Sequence, residues 1–328
     1  MQNLSLHLDV LLLDGVPVSP GSAPLAFALL LLVYVFIIVS NLGLVLLIWI
    51  DRRLHTPMYL LFCNLAVTDV LANVNVVPRV LLDTLRPPAE RLISYPECVA
   101  QAFWAHLLAT GMRTVLMVMA FDRYVAVCLP LRYSAIMSPR MLVKLLVAAW
   151  SAALVLVSVL IGLTVRLNRC RLLVVGLQCS NAALFGLSCE SVFVNNVYGL
   201  TFTTMLYLSS AGSLVLTYGS IIAVSVRRDR TLNLKALRTC LSHLLVYFLS
   251  LFSGLTVILF TRFPKLRQER HLASVLYTVL PGCFNPLIYG LQSQEIRNYV
   301  RAVFRGSVFR GSIMFRGSVF QRACTKRK

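Results

Sequence analysis

MAFDRYVAVCLPLRY, residues 119–133, closes a long apolar run that begins near Cys98. Asp122, Arg123 and Tyr124 stand where a membrane-spanning helix would leave the bilayer. An ionised Asp or Arg at such a depth is expensive unless it pairs or reaches water. As neighbours the two partly neutralise one another, and the Arg stem can carry its charged head toward the interface. A pair held this way can also be broken, which makes Asp122–Arg123 a candidate switch.

The rest of the chain agrees with a membrane setting. Of its 328 residues 58% are hydrophobic and only 13% charged, against about 25% charged in soluble domains. Each span needs roughly 20 apolar residues, and such runs occupy residues 25–50, 57–85, 98–122, 141–165, 196–226, 235–262 and 271–291. They are too long and too continuously apolar for the alternating strands of a membrane barrel. The prediction is an all-α fold: a seven-transmembrane helix bundle with an extracellular N-terminus. A short amphipathic cytoplasmic helix follows span seven. The organisation is then a tail at 1–24, the bundle at 25–292, the amphipathic helix at 293–305 and a basic tail at 306–328. That tail repeats FRGS at 304–307, 309–312 and 315–318.

The formal charge of +19 is placed unevenly. On this topology 20 of the 31 Lys and Arg, with four of the 12 acids, fall in cytoplasmic segments, giving +16 there and +3 elsewhere. That is a positive-inside bias with attraction to anionic lipid, and it argues for the bilayer as partner and against nucleic acid. It also sets the N-terminus outside, where Asn3-Leu4-Ser5 is a glycosylation sequon. The first 24 residues carry Asp9, Asp14, no Lys or Arg and only one short apolar run, Val10–Leu13, so no cleavable signal peptide is expected.

Within the spans, polar residues are few and therefore informative. Asn41 and Gly43 interrupt span one, where Gly43 is expected to allow close helix packing. Asp69 is a lone carboxylate near mid-bilayer in span two. In span three His106, Ala109 and Arg113 share one helical face. Arg113 is expected to pair with Asp69. The alternatives are a sodium or water site at Asp69, or an Arg113 directed elsewhere. Arg79, after Pro78, is expected to anchor the interface. Cys98, Cys170, Cys179 and Cys189 form an even outer set that reads as two disulfides, with three pairings open. No metal-ligand spacing occurs, and neither metal nor cofactor is expected. Pro286 removes a backbone bond inside span seven and leaves a hinge.

Five stretches carry a family resemblance in chain order: PMYLLFCNLAVTD at 57–69, MAFDRYVAVCLPLRY, the outer cysteines, KALRTCLSHL at 235–244 and NPLIY at 285–289. Together they resemble the odorant receptors of the rhodopsin-like G-protein-coupled receptors, and the Arg ending span six resembles the fish-type, class I branch. The resemblance selects Cys98–Cys179 and Cys170–Cys189 as the disulfides. It implies a switch and G-protein surface at Asp122, Arg123, Tyr124, Tyr218, Lys235, His243, Asn285, Pro286 and Tyr289. It places the ligand among Phe103, His106, Ala109, Thr110, Phe202, Thr203, Leu206, Ile258 and Arg262. His106 and Arg262 point to a small acidic or strongly polar odorant, since an Arg grips a carboxylate with two charge-assisted bonds. The implied partners are that odorant and a stimulatory heterotrimeric G protein of the olfactory type, in the plasma membrane of olfactory cilia. Met112, Arg113, Ser250 and Leu251 depart from the family pattern. A receptor for a peptide or lipid is the nearest rival. A transporter would need broken helices in paired repeats, and the only repeat seen in the sequence is in the tail.

Overall fold

The computed structural model describes residues 9–16, 18–227, 230–263, 267–292 and 296–297, and side chains at 225–227, 230–240, 242, 262, 267–268 and 291–292 lie outside that description. Asn3, the segment 298–328 with its FRGS repeats, and most of the expected amphipathic helix also lie outside it.

Among the described residues, seven helices are long and apolar enough to cross a membrane. They are α1 Ala23–Ile50, α2 Pro57–Leu85, α3 Tyr95–Cys128, α4 Pro139–Val165, α5 Phe193–Arg227, α6 Arg230–Arg262 and α7 Arg267–Gln292. Their outward faces carry large apolar side chains such as Leu32, Val39, Trp49 and Leu216. In water that surface would drive aggregation; in lipid it is the matched solvent.

The helices start and stop where local chemistry predicts. Pro stands in the first turn of α1, α2, α3 and α4, where its missing N–H costs nothing. Ser94 and Glu97 cap α3 reciprocally, the Ser94 Oγ accepting from Glu97 N and the Glu97 carboxylate from Ser94 N. Helix α6 begins at Arg230, inside a stretch read from sequence as a loop of residues 227–234.

Helix α3 is the axis of the bundle: 56% of its most apolar window is buried, against 28% for α1 and α4. It packs on α2, α4 and α5, while α7 packs on α1, α2 and α6 and closes the ring. Gly111 lets α3 approach α4, because a Cβ there would overlap the Trp150 ring. Gly111→Val is therefore expected to cost about 1–3 kcal/mol through overpacking, read as a lowered melting temperature of the purified protein. Trp150→Ala in the same chain should recover part of that loss; strict additivity of the two would refute the contact. Gly43, by contrast, has open space where a side chain would begin: a Cβ there would meet nothing within 4 Å. The close packing expected at Gly43 is therefore absent. The polar work of that turn is done by Asn41, buried, whose Nδ2 donates to Gly282 O of α7 at 2.8 Å.

A three-stranded sheet stands at the disulfide end of the bundle, which an all-α prediction leaves out. Its order is β2–β1–β3, with β1 Val10–Leu13, β2 Leu92–Ser94 and β3 Leu173–Val174. β1 runs antiparallel to β2 (Leu11 opposite Ile93) and parallel to β3 (Leu12 opposite Leu173). Leu11 and Leu13 alternate inward and are fully buried with Cys98, Cys179 and Leu187. Gly15 follows at φ +69°, and a side chain there would collide with Arg91, whose Nη1 donates to Asp14 O.

Candidate functional site

Two sites sit at opposite ends of α3. At the disulfide end both bridges are formed, Cys98–Cys179 and Cys170–Cys189. The first pins the loop between α4 and α5 to the start of α3. Gln101 reinforces it: its Oε1 accepts the Cys179 N–H at 2.9 Å while its Nε2 donates to Asn75 O of α2. The loop's short helix, Asn181–Phe185, is tied to α4 by Thr164, whose hydroxyl donates to Asn181 Oδ1 at 2.6 Å. Asn195 of α5 donates to the same hydroxyl. Arg79 clamps the rim, bonded to Asp83 at 2.9 Å and to Leu92 O. These bonds hold the end of α2 to β2.

Beneath this lid lies a cavity of about 180 Å³ bounded by α3, α5, α6 and α7. Helix α3 contributes His106, Ala109 and Thr110, spaced along one face. Helix α5 contributes Phe202, Thr203 and Leu206, and α6 contributes Ile258. Phe103 is not among the lining residues. It turns instead into the apolar cluster under the sheet and meets Trp104 edge-on. His106 is already engaged, its Nε2 accepting the Asn181 N–H of the lid at 3.2 Å. Only its other nitrogen is left for a ligand. The Arg262 side chain lies outside the described residues.

The floor of the cavity holds residues that the sequence did not assign to it. Arg113 lines it, together with Tyr207, Gly254 and Tyr277. Arg113 does not pair with Asp69. Its guanidinium stacks 3.8 Å from the Tyr207 ring centroid, and its Nη2 donates to Tyr207 Oη at 2.6 Å and Ser250 O at 3.0 Å. Of the three arrangements open from the sequence, the structure has the third, with Arg113 directed to α5 and α6. The physical reason is local. Ser250 and Gly254 leave room on α6, and a cation gains from an aromatic face as well as from oxygen acceptors. Asp69, buried at 1%, accepts instead from Asn285 Nδ2 at 2.7 Å and borders a smaller void of about 50 Å³ beside the main cavity.

At the other end of α3 the sequence-neighbour pair is made. Arg123 Nε donates to Asp122 Oδ2 at 3.0 Å, and its Nη2 reaches the same oxygen. Tyr133, first residue of the short helix Tyr133–Ile136 after α3, donates its hydroxyl to Asp122 Oδ1 at 2.8 Å. Burial and the Asp122 carboxylate push the Tyr133 hydroxyl above a tyrosine's ordinary range, so it remains a donor at neutral pH. Tyr218 of α5 and His243 of α6 share a hydrogen bond of 2.6 Å. Tyr289, beyond Pro286 in α7, stacks on Phe62 at 3.8 Å between centroids. Tyr124 packs at the margin of the same core. The Lys235 side chain lies outside the described residues.

A lidded cavity lies at one end of the central helix and a buried ion pair at its other end. That layout, on seven helices of membrane-spanning length among the described residues, is the one expected of a rhodopsin-like, G-protein-coupled receptor. The family model described as olfactory receptor matches residues 30–306, and the chain belongs to the olfactory receptor family. It is 33% identical to mouse "Olfactory receptor 2A7" over 307 residues, covering 92% of this chain and 97% of that protein. It is 33% identical to chicken "Olfactory receptor-like protein COR4", covering 91% and 96%. It is 32% identical to orangutan "Olfactory receptor 1D2", covering 91% and 95%. The family consists of multi-pass membrane receptors, not enzymes. These likenesses do not separate the class I branch from the rest of the family.

Proposed function

We propose that this chain is an odorant receptor of the plasma membrane that holds a small odorant in the cavity beneath the lid and activates a stimulatory G protein at the Asp122–Arg123 end. The observation that supports it most is the cavity itself, about 180 Å³ and largely apolar, bounded by four helices, of which α3 carries the Asp122–Arg123 pair at its other end. The disulfide end faces outward, with Asn3 available for glycosylation, and the basic end faces the cytoplasm. In an olfactory neuron the receptor belongs in the cilia.

Signalling follows as a population shift. A ligand acts only if it binds the active arrangement better than the resting one. Contacts to α3, α5 and α6 at the cavity favour a rearrangement that separates Arg123 from Asp122 and Tyr218 from His243. The end of α6 then moves away, and the Tyr218 hydroxyl turns to support Arg123. Asn285, Pro286 and Tyr289 supply the hinge in α7. Lys235 is assigned to the G-protein surface by the family resemblance.

Cyclic AMP in cells expressing the receptor with the stimulatory olfactory G protein tests this. A panel of small odorants should yield agonists, and Ala109→Leu, which fills the cavity, should remove the responses while leaving surface expression intact. Full responses from the filled cavity would place the ligand elsewhere.

A further inference from the structure

Arg113 carries a charge that the protein does not neutralise. The residue is 3% exposed, midway along α3, and no carboxylate lies within ion-pair distance of it among the described residues. Its Nη2 uses both hydrogens on Tyr207 Oη and Ser250 O. Nε and Nη1, with three further N–H groups, have no acceptor among the described residues. Asp69, the partner expected from the sequence, is occupied by Asn285 in the neighbouring void. A buried guanidinium left this way is costly, and an anion arriving with two oxygens removes the cost.

The surroundings are shaped for that arrival. A Cβ at Gly254 would overlap the Tyr207 hydroxyl and come within 2.7 Å of Arg113 Nη2, so the glycine keeps the guanidinium in place. Stacking on Tyr207 fixes the plane of the fork, and the bond to Ser250 O fixes its rotation. Above this floor the walls are mostly apolar, with Ala105, Ala109, Phe202, Leu206, Val257 and Ile258 among them, and His106 and Thr203 as polar exceptions. A cavity of ~150 Å³ admits benzene, so one of about 180 Å³ suits a ligand of about eight heavy atoms.

We propose that Arg113 is the anion anchor of this cavity, and that the receptor's ligands are small monocarboxylates whose charged end sits on the Arg113 Nε–Nη1 edge and whose apolar tail lies against Phe202 and Ile258. This rests on the cavity being the odorant site. It moves the acid contact from the rim, where Arg262 ends α6, to the floor.

The test is thermal unfolding of the purified full-length receptor at neutral pH with hexanoate, hexanamide or 1-hexanol. Hexanoate should stabilise the wild type well beyond its two uncharged counterparts. Arg113→Met should weaken the hexanoate effect at least about tenfold while keeping that of 1-hexanol, as expected for losing charge-assisted hydrogen bonds. Arg113→Lys, which keeps the charge without the fork, should fall between. Hexanoate acting equally on wild type and Arg113→Met overturns the proposal. So does loss of the hexanoate effect in Arg262→Ala but not in Arg113→Met. If Arg113→Met does not fold, the wild type alone decides, since equal stabilisation by hexanoate and hexanamide overturns it. Stabilisation by 1-hexanol alone discards the anchor and keeps the odorant cavity, whereas no effect of any of the three discards both.

Discussion

Cys98→Ser is expected to remove most of the receptor from the cell surface. The Cys98–Cys179 bridge closes a sequence separation of 81 residues. In the chain-entropy account a loop of that length is worth about 4–5 kcal/mol, a large share of the roughly 5–15 kcal/mol that separates folded from unfolded domains. Both cysteines are fully buried beside Leu11, Leu13 and Leu187, so the loss also opens the outer apolar cluster. The Gln101 contact to the Cys179 backbone cannot replace a covalent tie, being worth about 1 kcal/mol. Cys170→Ser breaks a bridge of separation 19 inside the loop alone, for which the same account gives about 3 kcal/mol. The expected order of surface staining is wild type, then Cys170→Ser, then Cys98→Ser. Equal staining of the two variants would contradict it.

The second large effect concerns the switch. Asp122→Asn should raise ligand-free cyclic AMP roughly tenfold at matched surface level, since a bias of only about 1.4 kcal/mol shifts a two-state population that far. Asp122 is 1% exposed and holds both Arg123 and Tyr133. An asparagine keeps the shape but not the charge that retains the guanidinium. Tyr133→Phe removes one hydrogen bond, about 1 kcal/mol, and should raise the basal signal several-fold, less than Asp122→Asn. Arg123→Ala should abolish signalling altogether, because the proposed active arrangement needs that side chain. Unchanged basal signal in Asp122→Asn would separate the ion pair from the resting state.

The spans were legible because each is set by a local property, its apolar length, and α1 to α4 also carry a Pro in the first turn. Helix ends agree with the sequence within a few residues at α1, α2 and α4. The disulfide pairing was legible only through family resemblance, since spacing left three choices. The sheet was not legible. Val10–Leu13 is four apolar residues with no alternation, and its partners lie about 80 and 160 positions away. Arg113 shows a different limit. Its helical face follows from spacing, but its partners are set by room on α6, which depends on Ser250 and Gly254 together. The departures at Arg113 and Ser250 looked separate along the chain and meet in space. Phe103 failed for a related reason. One turn above His106 on α3, it is close enough in sequence to join the cavity, but the sheet supplies it with an apolar neighbourhood instead.

The small sheet also dictates an order of assembly. β1 leaves the ribosome well before its parallel neighbour Leu173–Val174, which follows the fourth span. Until then two oily side chains, Leu11 and Leu13, have no finished place to go. The outer cap therefore closes late in biosynthesis, after the first half of the bundle is inserted, and the N-terminal arm must be shielded in the meantime. The last strand to arrive, β3, completes the place that an earlier one has to wait for.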